Sequence, residues 1–127
     1  MIKQLEQVKE FHKVFGLLET QNYKKHPEVA KLRYQIGLEE LNEYAIAVQE
    51  NNDIEIADAL GDQLYIVLGS IISHGLEDKI EAIFDEIHKS NMSKLDENGN
   101  PLYREDGKVK KSNLFKEPNL KEILERQ

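Results

Sequence analysis

Apolar residues recur every three or four positions along most of this chain, a period that fits the α-helix and not the strand. Ile2, Leu5, Val8, Phe11, Phe15 and Leu18 make one such stripe, predicting a first amphipathic helix that Gly16 weakens near its end. Asn22 to Pro27 is a connection, and Pro27 suits the first turn of the next helix. That second helix is predicted from about Glu28 to Gln49, with Val29, Leu32, Ile36, Leu41, Ala45 and Val48 as its buried stripe. Asn51-Asn52-Asp53 is a turn, with Asp53 the expected N-cap of a third helix reaching Ser73. From Leu64 to Ile72 this third helix is apolar nearly all round, so neighbours or a partner subunit must enclose it. Gly75 suits the left-handed position that ends it. A fourth helix covers Glu77 to about Asn91, with Ile80, Ile83, Phe84 and Ile87 inward.

Beyond residue 94 the character changes. Asp96 to Asn100 and Asp106-Gly107 are turn signals, and the segments flanking Asp106-Gly107 read as a short two-stranded hairpin. Two strands alone are marginal, so this arm is expected to lie against the helices or a partner. Leu120 to Leu124 is expected to form a last helical turn. The expected fold is all-α. It has an antiparallel four-helix bundle-type core over residues 1–94, a C-terminal arm over 95–127 within the same single domain, and completion by dimerisation.

The chain has no cysteine, which excludes disulfides and thiolate metal sites. It has no run of about 20 consecutive apolar residues, and Met1 to Glu10 lacks the apolar stretch of a signal peptide. The expectation is a cytoplasmic protein with no membrane role. A net charge of −7 argues against general affinity for nucleic acid, which needs a basic face.

The distribution of charge says more than its sum. Between Tyr34 and Asp78 there is no Lys or Arg, yet the stretch carries Glu39, Glu40, Glu43, Glu50, Asp53, Glu55, Asp58, Asp62, Glu77 and Asp78. A solvated helix surface normally mixes signs, so acid without base wants an external cation. At 100° per residue, Glu39, Glu40 and Glu43 share an arc of about 100°, and Glu55, Asp58 and Asp62 one of about 60°. Packed antiparallel across the short turn, the two helices can join these faces. Hard oxygen ligands suit Mg²⁺, with Mn²⁺ as a substitute. The Glu-x-x-His pattern of di-iron bundles does not accompany these acids. The alternative is an ordinary solvated acidic surface.

Glu40-x-x-Glu43, followed by Asp58-Ala-Leu-Gly-Asp62 at the head of an apolar run, resembles the all-α nucleotide pyrophosphohydrolases. That group includes MazG, the dimeric dUTPases and phosphoribosyl-ATP pyrophosphohydrolase. Asp85-Glu-Ile-His-Lys-Ser-Asn-Met-Ser-Lys94, Gly99-Asn-Pro-Leu-Tyr and Asp106-Gly-Lys are similar to the MazG-like branch, and the likeness runs from about Phe11 to Pro118. The resemblance implies Mg²⁺-dependent cleavage of a nucleoside triphosphate between its α and β phosphates, giving a monophosphate and pyrophosphate. It implies metal ligation by Glu40, Glu43 and Asp62. The family's second Glu falls on Ala59, so Asp58 or Glu55 is the candidate replacement. Glu39 is either a further ligand or, with Glu40, part of the catalytic pair that holds the attacking water. The candidates for the leaving pyrophosphate are Lys89, Lys94 and Arg104, with Asn91 for the sugar or base.

Phe15, with Phe11 and His12, is a candidate aromatic wall for a nucleobase, although the same spacing also builds plain core. Tyr65, one turn after Asp62, either holds a ligand or packs. No Gly-x-x-x-x-Gly-Lys loop is present, which argues against a Walker-type NTPase. The leading expectation is housecleaning of dUTP or a related nucleotide by a homodimer or higher oligomer. Phosphoribosyl-ATP hydrolysis, a non-catalytic helical dimerisation module, and a metal-binding storage or sensor bundle are the competitors.

Overall fold

A computed structural model describes residues 2–126. Among these residues there are six helices and a single two-stranded sheet, so the all-α expectation holds. The chain divides into two compact units, Met1–Glu77 and Asp78–Gln127.

The first unit holds α1 (Ile2–Val14), α2 (Leu17–Thr20), α3 (Val29–Gln49) and α4 (Asp53–Ser73). The predicted single helix to Leu18 is two pieces. Gly16 takes a left-handed backbone with φ 75°, which closes α1 and lets α2 start at a new angle. The N-cap of α4 is Asn52, not Asp53: its side chain accepts a hydrogen bond from the Glu55 N–H at 3.1 Å, and Asp53 is the first helical residue. At the other end of α4, Gly75 (φ 69°) donates to Ile72 O at 3.0 Å and Leu76 to Ile71 O at 2.9 Å, a Schellman closure.

α4 is the spine of this unit, with α3 along one side and α1 along another. Val8 of α1 packs with Leu68 and Ile72 of α4, and Leu5 and Ile71 close around them. By length and composition α4 is long and apolar enough to cross a membrane: 21 residues, with a mean hydropathy of 1.3 over its best window. Asp58 and Asp62 interrupt its apolar run without lowering the average much, so the helix is apolar on average though nowhere continuously. Only 28% of that window is buried. The stripe predicted as buried on α3 is largely uncovered too. Val29 is buried, whereas Leu32, Leu41, Ala45 and Val48 are exposed. The five-residue step from Ile36 to Leu41 breaks the period: Leu41, Ala45 and Val48 lie on nearly the opposite side of α3 from Val29, Leu32 and Ile36, so the six never formed one stripe.

The second unit holds α5 (Ile80–Met92), β1 (Leu102–Tyr103), β2 (Val109–Lys110) and α6 (Leu120–Glu125). The strands pair antiparallel, Leu102 with Lys110 and Tyr103 with Val109, across a turn closed at Gly107 (φ 84°). So small a sheet needs outside support. Serines supply it: Ser90 Oγ donates to Lys116 O at 2.7 Å, Ser112 Oγ to Leu95 O at 2.7 Å, and Ser93 Oγ accepts from the Lys116 N–H at 2.9 Å. The Ser-Asn-Met-Ser segment therefore anchors the arm on α5. Glu86 Oε1 and Lys79 Nζ add hydrogen bonds to Asn119 N and Leu124 O.

Candidate metal centre

Facing pairs across α3 and α4 fix their register. Arg33 reaches Ser70, and a Cβ on Gly37 would lie 3.9 Å from Ile66. One turn further along the same antiparallel seam, Glu40 and Glu43 meet Asp62. One carboxylate oxygen from each of these three residues lies within 4.8 Å of the others.

Glu40 is the inner member. It is half-buried, and its Oε2 is enclosed without a hydrogen-bond partner. Burial, the adjoining Glu43 carboxyl, and the charges of Asp62 and Asp58 push its carboxyl up to about 7. A group held this way carries unmet demand for positive charge, since a buried carboxylate oxygen is normally paired or bound to a cation. A hard divalent cation fits this donor set.

Glu55 and Asp58 lie further along the same seam. With Glu43, Glu50, Asn52 and Ala59 they line a polar groove of about 530 Å³. Ala59 itself is buried. The acids on this side of the groove are Asp58 and Glu55. Asp58 lies close enough for its charge to act on Glu40. Glu39 is exposed on α3 and takes no part in the three-residue cluster.

The aromatic candidates separate. Phe15 is 64% exposed and stacks on Phe11 at 4.5 Å, and Phe11 meets the Tyr65 ring edge-on at 5.7 Å. These three rings form an accessible surface one helical turn from Asp62. His12 does not belong to it. It is 2% exposed and faces Arg33 and Gly69, so it is withdrawn from the proposed base wall. Burial and the Arg33 charge hold its imidazole below the ordinary value.

Lys89, Asn91, Lys94 and Arg104 all lie in the second unit. Lys89 and Asn91 are exposed on α5, and Lys94 is half-buried just past its end. Arg104 is paired with Asp106 at 2.9 Å, a partner that a phosphate would have to displace.

Of the two alternatives for Tyr65, packing is the one observed: its ring lies edge-on against Phe11. Arg33 is a functional residue that the charge pattern alone does not single out, although a lone Arg between Val29 and Ile36 on an apolar stripe is an anomaly.

An uncharacterized protein of Acanthamoeba polyphaga mimivirus is 32% identical over 117 residues, covering 87% of this chain and 42% of the viral protein. The chain thus spans under half of that relative's length. The profile of phosphoribosyl-ATP pyrophosphohydrolase matches residues 8–91, a span that contains the carboxylate cluster and the aromatic surface. The chain belongs to the phosphoribosyl-ATP pyrophosphohydrolase family, within the MazG-like all-α nucleotide pyrophosphohydrolase superfamily.

Proposed function

We propose that this protein is a Mg²⁺-dependent nucleotide pyrophosphohydrolase that cleaves the α–β phosphoanhydride of a nucleoside triphosphate, releasing a monophosphate and pyrophosphate. The observation that carries this reading is the Glu40–Glu43–Asp62 cluster, its oxygens within 4.8 Å and its inner carboxyl held near 7, in a chain of this family. The family is typically metal-dependent.

In this reading Glu40, Glu43 and Asp62 hold the cation, with Asp58 beside them. A divalent cation held by these residues would neutralise phosphate charge and make a water more acidic. Glu39, on the exposed side of α3, is the candidate base that orients the attacking water. Phe11, Phe15 and Tyr65 offer ring faces to the nucleobase. Lys89, Lys94 and Arg104 are proposed for the leaving pyrophosphate, and Asn91 for the sugar or base. Removal of unwanted nucleotides, dUTP or a relative, is the proposed role. Phosphoribosyl-ATP stands as the second reading, because the matching family carries that name.

The test is product identity. Incubated with Mg²⁺ and a nucleotide panel including dUTP and phosphoribosyl-ATP, the protein is expected to yield monophosphate and pyrophosphate. A diphosphate with orthophosphate would contradict the proposed bond. A chain that binds Mg²⁺ and turns nothing over would favour the storage or sensor alternative.

The raised Glu40 carboxyl sets the pH dependence. Its ordinary value is 4.5 and its folded value about 7. Below 4.5 it is protonated whether the chain is folded or not, and has no effect. Between 4.5 and 7 the unfolded chain gives up its proton first, so the cation-free fold loses stability as pH rises, and the loss is complete above 7. A cation needs the ionised form and competes with that proton. The rise in Tm on adding Mg²⁺ is therefore expected to be larger at about pH 8 than at about pH 6. Equal rises at the two values would contradict a role for Glu40.

We also propose a homodimer. A groove of about 430 Å³ runs between α3 and α4, lined by Tyr34, Leu38, Leu41, Val67 and Ile71 among others, and it is almost wholly apolar. Leu41 is 52% and Val67 55% exposed. Sedimentation at micromolar concentration is expected to give twice the 14.7 kDa chain mass, and Leu41→Glu to reduce it to one. A wild-type monomer would count against this.

A further inference from the structure

Arg33 is the chain's anomalous charge. It is 7% exposed in an otherwise apolar stretch of the α3–α4 seam. Buried cations normally meet carboxylates, yet all three of its partners are neutral. Nε donates to Ser70 Oγ at 3.0 Å, one terminal nitrogen to Gln21 Oε1 at 2.9 Å, and the other to the Ile66 carbonyl at 2.6 Å. A methionine would fill the same volume without the desolvation cost of a charge. What methionine lacks is the planar fork, which here ties three elements together: α3, α4 and the residue just after α2.

The position of the fork matters more than its strength. Arg33 lies seven residues before Glu40 and so on nearly the same face of α3, about 10 Å along the axis. Its acceptor Ile66 lies one turn after Asp62 on α4. A slide of one helix by a single turn, about 5.4 Å, would break the bonds to Ser70 and Ile66 and would carry Asp62 away from Glu40. The short turn at the other end, where Asn52 N donates to Ala47 O at 3.1 Å, ties the seam beyond the acids. The acid cluster, whose like charges push the helices apart, sits between these two ties.

α4 is shaped to receive the fork. A Cβ on Gly69 would collide with Arg33 Nη2 and come within 2.9 Å of His12 Nε2. Glycine at 69 lets both side chains lie on the helix backbone, and buried His12 covers the fork.

We propose that Arg33 is a positioning residue for the carboxylate cluster: its fork of hydrogen bonds to Ser70, Ile66 and Gln21 fixes the register of α3 on α4 and with it the spacing of Glu40, Glu43 and Asp62. The proposal rests on the reading that this cluster binds a divalent cation. It is tested with the full chain by Mn²⁺ titration followed by electron paramagnetic resonance. Titrations are run where circular dichroism shows each variant fully helical. Arg33→Met is expected to weaken Mn²⁺ binding about tenfold or more. Arg33→Lys, which keeps the charge and loses the fork, is expected to weaken it as well. Val8→Ala, a core change on α1 away from the seam, is expected to lower Tm and leave Mn²⁺ affinity unchanged. If Arg33→Met does not fold, Ser70→Ala removes one acceptor and should still weaken binding severalfold. Wild-type affinity in Arg33→Lys or Ser70→Ala, or an equal loss in Val8→Ala, would overturn the proposal. A wild-type chain that binds no Mn²⁺ would overturn the cation reading itself, and this proposal with it.

Discussion

Glu43→Gln and Asp62→Asn are each expected to lower pyrophosphate release on the order of 10²–10³-fold, the loss that follows removal of one preorganised group stabilising developing charge. The expected companion result separates this from simple damage. Glu40, Glu43 and Asp62 crowd three carboxylates within 4.8 Å, and the inner one is already driven towards its neutral form. Deleting one charge relieves repulsion, so the cation-free Tm should stay level or rise while activity falls. The gain in Tm on adding Mg²⁺ should shrink at the same time, because the cation's contribution to stability depends on its affinity for the fold. A variant that loses activity and Tm together would mean that these acids serve the fold. Glu39→Gln offers a contrast: it lies outside the cluster, so Mg²⁺ stabilisation should persist even where turnover falls.

The largest expected effect on stability belongs to Leu68→Ala. Leu68 is 3% exposed and sits between Val8 and Ile72, at the one place where α1 and α4 share a buried cluster among the described residues. Truncating such a side chain costs about 2–5 kcal/mol, lost transfer energy plus a cavity. Against a total of about 5–15 kcal/mol this is a large share. It should appear as a lower urea midpoint at unchanged slope. The consequence reaches the site: α1 carries Phe11 and Phe15, whose rings meet Tyr65 of α4. Loosening α1 should therefore raise the apparent KM for nucleotide before it affects Mg²⁺ binding, because the acids belong to α3 and α4. A stability loss under about 1 kcal/mol would show that this cluster does not hold the unit together.

Much of this was legible in the sequence, for identifiable reasons. The three-and-four spacing of apolar residues gave the long helices, because a helix repeats its face at that interval. Asp106-Gly107 gave the hairpin, since Gly107 must take a positive φ. The arcs of Glu40, Glu43 and Asp62 gave the cluster, because neighbouring antiparallel helices leave few ways for two acid faces to avoid each other.

Other features were not legible. The break at Gly16 depended on a left-handed backbone that the apolar stripe alone would run through. The choice of Asn52 over Asp53 as cap turned on a single hydrogen bond between two equally good capping residues. Leu41 and Val48 are exposed because the five-residue step after Ile36 turns them to the other side of α3, whereas exposure of Leu32 could not be foreseen, because a period reports which side chains share a face and not what lies against it. His12 was misplaced for the same reason. Its neighbours Phe11 and Phe15 point outward, while it turns in towards Gly69 and Arg33.

The central claim is that three carboxylates from two helices jointly hold one divalent cation. Anomalous scattering from crystals soaked in Mn²⁺ tests it most directly. The account predicts a manganese peak bonded to oxygens of Glu40, Glu43 and Asp62 together, at distances near the ~2.1 Å of hard-cation coordination. Soaked crystals with no manganese at these three residues, or with each acid turned away to a lysine, would contradict it.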